Sequence, residues 1–333
     1  MENYRKGGCR IDMGWSYEGI RCLKMENAFM SITLLLDAGS RIIEFIYKPL
    51  GYNFIWRHPL LKIRKPFCLA SISTSNLIFD YWDGGWDEVF PTGLPCTYKG
   101  ADFGMLGELI VSSWHCVIEE DAPDEVCAHL WTDTIRAPFR FHKWLTLRKD
   151  EKTLYIREIV KNRSKEYFEF LWLHHPLLKL LPRARVEIPG EEFLVEPRQC
   201  KLLEPGGPYR WPIARDKTGN DIDLRVLPPT NEAWELLYFT RLKDGYYKVF
   251  YPDLKIGFSL FFPKEVFKFL WMALLNGGEH NYPWYGSTYA IGLYPATGYP
   301  FILTEAIKEG VVSKLGPNES LEVELKASII TEE

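Results

Sequence analysis

Residues 320–329, Ser-Leu-Glu-Val-Glu-Leu-Lys-Ala-Ser-Ile, alternate polar and apolar without a break after a Gly316-Pro317-Asn318 turn. A period of two places every apolar side chain on one face, which suits a half-buried β-strand. No stretch shows the 3.6-residue recurrence of a long amphipathic helix. The strand signal returns along the chain. Residues 138–148 and 153–161 flank Lys149-Asp150-Glu151-Lys152 and predict a hairpin. Residues 235–242 and 246–251 flank Asp244-Gly245 and predict another. Residues 30–56 read as three short strands separated by Asp37-Ala38-Gly39-Ser40 and Pro49-Leu50-Gly51. Many short strands with close turn signals predict an all-β fold, a large antiparallel β-sandwich or a barrel. Residues 182–229 are rich in Pro and Gly, including Pro228-Pro229. They also carry Phe193, Leu194, Val195, Tyr209 and Trp211, so they read as long loops packed over the sandwich. The expected organisation is one domain over residues 1–333, with 1–26 as an N-terminal extension packed on it.

Bulk properties narrow the function. With 47% hydrophobic and 25% charged residues the chain can bury a substantial core. A net charge of −4 without a basic stripe speaks against nucleic acid. Seven cysteines, at 9, 22, 68, 96, 116, 127 and 200, form an odd set with no CxxC spacing. That disfavours a disulfide framework or a zinc site and fits a reducing compartment. Residues 1–6 run into Gly-Gly-Cys without an apolar signal core, and the apolar runs are too short to span a bilayer. A cytoplasmic protein without membrane contact is expected. GxGxxG, Walker, HExxH and GxSxG motifs are absent, so no cofactor is expected and spacing implies no metal.

Aromatic residues reach 15%, with 12 Trp. Rings suit pleated surfaces, and they also stack on sugars. Four clusters join rings to polar groups. Asp83-Gly84-Gly85-Trp86-Asp87-Glu88 suits a loop that stacks on a sugar face through Trp86 and accepts hydroxyl protons at Asp87 and Glu88. The same residues also suit a tight turn with a buried Trp. Leu171-Trp172-Leu173-His174-His175-Pro176 puts two His in an apolar strand, where neighbours point to opposite faces. At most one therefore enters a shared cleft, and a lone strand His is more often a hydrogen-bonded core residue. Residues 277–286, with His280, Trp284 and Tyr285, and then Leu293-Tyr294-Pro295, read as one wall of a ligand site. Arg57, in Trp56-Arg57-His58-Pro59, is a weaker candidate contact. A cleft holding Asp87, Glu88 and His175 could take a metal opportunistically.

In this order, from about Asn27 onward, the clusters resemble the galactose-mutarotase-like (aldose 1-epimerase) superfamily. Residues 32–42 look like its first hairpin. Val160-Lys161-Asn162-Arg163-Ser164 looks like the strand before its central His. Gly84 to Thr92, and the carboxyl-terminal segments Pro283 to Gly286, Gly292 to Pro295 and Leu315 to Ser320, resemble an uncharacterised branch. The resemblance implies a supersandwich fold and a carbohydrate-binding isomerase. In that chemistry a carboxylate takes the anomeric proton while a His donates to the ring oxygen, and the opened sugar recloses on its other face. The central His aligns with His175, as general acid. The family Glu falls on Tyr294, a poor base, and a second family His falls on Leu106. Asp87, Glu88, Glu108 or Glu305 would then have to supply the base. The alternatives are a sugar-binding protein without chemistry, or a lyase-type enzyme in which Tyr294 works beside Arg57 or His280. A neutral sugar is favoured over a phosphosugar, because the only nearby basic candidates are Arg57, Lys62 and Arg64. A homodimer through exposed aromatics is the one protein partner considered.

Overall fold

A computed structural model describes residues 7–64, 77–227 and 232–332. Residues 1–6, Cys68, Pro228 and Pro229 lie outside them. Two large antiparallel sheets pack face to face. The larger, with twelve strands, runs Arg10–Tyr17, Ile20–Glu26, Met30–Leu35, Arg41–Tyr47, Trp86–Val89, Leu173–Lys179, Tyr289–Ala296, Phe269–Asn276, Ala233–Leu242, Gly190–Cys200 and Gly206–Arg210, with Tyr52–Asn53 beside the fourth. The smaller, with eight, runs Arg185–Glu187, Tyr246–Tyr251, Ile256–Phe261, Ser320–Thr331, Thr153–Asn162, Phe139–Arg148, Glu125–Asp133 and His115–Asp121. Residues 10–26, expected as an extension, form the first two strands of the larger sheet.

The two sheets differ in pattern because they differ in cover. The smaller sheet faces solvent on one side, and its strands alternate buried and half-buried residues, as in Thr153–Asn162. The larger sheet is apolar on both faces. Its inner face joins the smaller sheet in one core that includes Leu23, Phe45, Trp86, Phe258 and Leu325. Its outer face carries a second cluster, with Trp56, Trp82, Leu173, Leu236 and Trp271, roofed by loops and the helix Leu303–Glu309. Covered twice, Met30–Leu35 is buried throughout, Ser31 and Thr33 included.

The hairpin expected across Lys149 to Lys152 is present, with Phe139–Arg148 paired to Thr153–Asn162. The second expected hairpin is not. Ala233–Leu242 pairs with Phe269–Asn276 and Gly190–Cys200 in the larger sheet, whereas Tyr246–Tyr251 pairs within the smaller one. Residues 243–245 are a corner between sheets. Lys243 N–H donates to Pro189 O and Phe262 N–H to Gly245 O, while a Cβ on Gly245 would meet Phe262 O at 2.0 Å. Gly245 is there for close backbone approach, not for a hairpin turn. Residues 182–229 are also corrected. They hold the eleven-residue strand Gly190–Cys200, whose ladder contains register shifts that disguise it. Among the described residues no helix is long and apolar enough to cross a membrane, and none of the six described cysteines is in a disulfide.

Candidate active site

The outer face of the larger sheet carries a cavity of about 440 Å³. Its floor comes from alternate residues of neighbouring strands: Leu173, His175 and Leu177, then Trp271, Ala273 and Leu275, with Tyr294 between them. Its walls are largely indole. Trp284 is the hub, with ring centres 5.9 Å from Trp82, 5.1 Å from Trp234 and 5.2 Å from Phe79. Polar side chains also line it, on Arg198, Gln199, Glu279, Asn281 and Tyr282.

His175 and Tyr294 meet on the floor, their rings stacked with centres 4.1 Å apart. Tyr294 folds back over Gly292, where a Cβ would lie 1.9 Å from its hydroxyl oxygen. Only glycine leaves that space. Burial, with the Arg41 guanidinium adding to it, pushes His175 down to about 3. Its Nδ1 has no hydrogen-bond partner. Burial and the nearby Asp87 carboxylate raise Tyr294 well above the phenol range. Both rings are therefore neutral around pH 7. The general-acid role expected of His175 would therefore have to be carried by a neutral imidazole.

Asp87 faces His175 across the ladder, but it lies behind the cavity wall. Trp82 Nε1 and Arg41 Nε each donate to it at 2.6 Å. Arg57 lies further out, bonded to Asp83 and to the Tyr17 hydroxyl. The strand register sends Trp86 and Glu88 to the opposite face. Trp86 packs on Phe45, His174 and Phe258 in the core between sheets, so it has no sugar face to offer. Glu88 joins a buried cluster with Lys143, Glu158 and His174. The expected grouping of Asp87, Glu88 and His175 around one ion is thereby overturned: the sheet separates Glu88 from the other two. His280 and Tyr285 share a loop with Trp284, but both are exposed and neither lines the cavity.

Glu88, Glu158 and His174 bring ligand atoms within 4.8 Å of one another. Lys143 Nζ already sits among them, against Glu88 and 3.4 Å from Glu158, and supplies the cation. Burial pushes Glu158 up, but His174 and Lys143 outweigh it and hold the carboxyl at about 2. Burial and Glu158 raise Glu88. Cation chemistry is thus answered by the chain itself.

Two other carboxylates considered as bases have structural partners. Glu108 accepts the backbone N–H groups of Ile135, Arg136 and Ala137. Glu305 pairs with Arg198, which also holds Glu196 at 2.6 Å. Glu279 lines the cavity instead. Its Oε1 accepts from the backbone and side-chain nitrogens of Asn281, which holds its carboxyl below the usual range. Glu279, Trp82 and Trp234 were not singled out from sequence. Trp82 lies just before the Gly84-Gly85 pair, so its distance from that motif was the available signal. Leu106, at the second family His position, puts an aliphatic group on the wall.

No family model and no curated protein matches this chain. Solved structures do. A Klebsiella pneumoniae protein provisionally named an aldose 1-epimerase superposes with a TM-score of 0.75 at 14% identity, covering 97% of this chain and 83% of that one. A Clostridium acetobutylicum galactose mutarotase-like protein gives 0.62 at 13% identity, over 98% and 99% of the two chains. An Escherichia coli K12 protein, also provisionally named an aldose 1-epimerase, gives 0.59 at 14%, over 98% and 100%. The chain shares its β-sandwich fold with these structures.

Proposed function

We propose that the protein binds a neutral monosaccharide in this cavity and interconverts its anomers. The observation that carries the reading is one aromatic-walled cavity that brings together His175, Tyr294 and Glu279. On the scale in which a cavity of about 150 Å³ holds benzene, a pyranose needs about 300 Å³, which the cavity exceeds. Indole faces suit the C–H faces of a sugar ring. The cavity-lining Arg198 is already paired with Glu196 and Glu305, which favours a ligand without a phosphate.

In this reading the ionised Glu279 takes the anomeric proton, and the neutral floor pair serves the ring oxygen, with the Tyr294 hydroxyl as donor. The ring opens, the C1–C2 bond turns, and closure returns the protons. His175 orients the tyrosine ring by stacking and offers its unpartnered nitrogen to a sugar hydroxyl. A second reading, a binder without chemistry, is favoured by one observation. His175 and Tyr294 are both shifted away from neutrality, and proton transfer works best with groups matched to the operating pH.

Exchange between α and β anomers, followed by NMR for a panel of aldoses, separates the two. Acceleration by the wild type that falls about 100-fold in Glu279→Gln and in Tyr294→Phe, with binding kept, supports the enzyme. Sugar-dependent shifts without acceleration support the binder. Neither effect with any aldose defeats both.

A further inference from the structure

None of residues 83–88 lines the cavity, yet their backbone is shaped around one contact behind it. Gly85 leaves room for the Arg41 stem: a Cβ there would lie 2.7 Å from Arg41 Cδ and Cγ, and its φ of +117° suits glycine. Arg41 is thereby buried beside Asp87, each 1% exposed, and its Nε donates to Asp87 Oδ1 at 2.6 Å. A buried carboxylate needs that cation. The other oxygen, Oδ2, accepts from Trp82 Nε1 at 2.6 Å, a charge-assisted bond. The floor side chains are carried on strands paired in a ladder. Trp82 has no such support, because it lies in the connection between the turn Leu77–Asp80 and the strand Trp86–Val89. Its indole nevertheless holds a definite place in the wall, with ring centres 6.3 Å from His175, 5.9 Å from Trp284 and 5.7 Å from Phe79. Ring contacts are tolerant of sliding, whereas a hydrogen bond is directional and locks the indole edge.

We infer that Asp87 is a positioning residue: it acts through Trp82, fixing the indole that walls the cavity beside His175, with Arg41 as its counter-ion. Its effect on binding rests on the monosaccharide reading, whereas its hold on the indole is present without ligand. Asp87→Asn keeps the shape but offers one oxygen to two donors. The cationic Arg41 takes that oxygen, and the indole N–H is left against an NH2 group.

The test follows the Trp82 indole N–H by NMR, assigned by its loss in Trp82→Phe. In the ligand-free wild type this proton should exchange slowly, and Asp87→Asn should shift its signal and speed its exchange. Titration with D-galactose, D-glucose and D-mannose then closes a double-mutant cycle. Asp87→Asn and Trp82→Phe should each weaken binding by about tenfold, and the double variant should bind no worse than Trp82→Phe alone. Additive losses, or an affinity unchanged in Asp87→Asn, overturn the inference and leave the monosaccharide reading standing. A wild-type Trp82 N–H that exchanges as fast as an exposed indole also overturns it, and that result needs no variant to fold. If none of the sugars binds, the monosaccharide reading fails, and the exchange of the indole proton still decides whether Asp87 holds the wall.

Discussion

Gly292 and Tyr294 are two residues apart on one strand and share one small volume. A Cβ at Gly292 would meet the Tyr294 hydroxyl at 1.9 Å and its ring carbons at 2.0 and 2.4 Å. Gly292→Ala must therefore push the ring off His175. Overpacking of this kind costs about 1–3 kcal/mol, and Tyr294→Ala in the same chain should recover most of it. Urea melts of the two single variants and the double variant measure the coupling, and simple additivity would show that the ring does not depend on that glycine. His175 gives a prediction in pH. Its folded value is about 3, against roughly 6.5 in an unfolded chain. As pH falls below about 6.5, the unfolded state takes up a proton that the folded state refuses, so stability is lost down to about pH 3 and is complete above 6.5. His175→Gln should lack that slope. Urea midpoints between pH 4 and 8 that run parallel in the two proteins would contradict a buried neutral imidazole.

The strand Leu173–Lys179 sorts chemistry by parity. His175 looks to the cavity, while His174 looks to the core between sheets, where it bonds Glu158 at 2.9 Å. Lys143 balances Glu88 and Glu158 there. Lys143→Met leaves two buried carboxylates without their ammonium and should cost about 3–5 kcal/mol at pH 7. Adding Glu88→Gln removes one uncompensated charge and should return part of it. Equilibrium denaturation of both variants checks the pair, and an unchanged Lys143→Met would mean the cluster carries no net charge. The parity was legible in sequence, because adjacent His residues on a strand must part. Which side held the cavity was not. Trp86 was read toward the sugar and lies in the core, whereas Trp82, outside the motif, forms the wall. Periodicity tells that faces differ, but packing against the rest of the chain decides which one is covered. The same limit explains the corner at 243–245. Asp244-Gly245 announces a reversal, but the partner strand is chosen by burial far away in sequence. Gly190–Cys200 was hidden for another reason: bulges break its alternation, and Gly190 and Pro197 mimic loop composition.

At the scale of the whole molecule the sheets share one continuous core, with members from Cys9 near one end of the chain to Ile329 near the other. Strands from the two halves of the sequence interleave. Ser320–Thr331 pairs with Thr153–Asn162, and Tyr289–Ala296 pairs with Leu173–Lys179. Neither sheet can close its apolar face without the other, so we propose that residues 1–333 unfold as one unit. Far-UV circular dichroism reports all the strands, and tryptophan fluorescence reports twelve indoles, of which Trp82, Trp234, Trp271 and Trp284 line the cavity. The two signals should trace a single transition in urea. A ligand bound at the cavity sharpens the test. At a hundredfold excess over its dissociation constant it stabilises the folded state by about 2.7 kcal/mol. Coupled through one core, that gain must move both signals together. A ligand that delays the fluorescence change and leaves the circular dichroism in place would mean that the roof over the cavity opens independently of the sandwich. The site would then be a loop structure resting on the fold and not part of its cooperative unit.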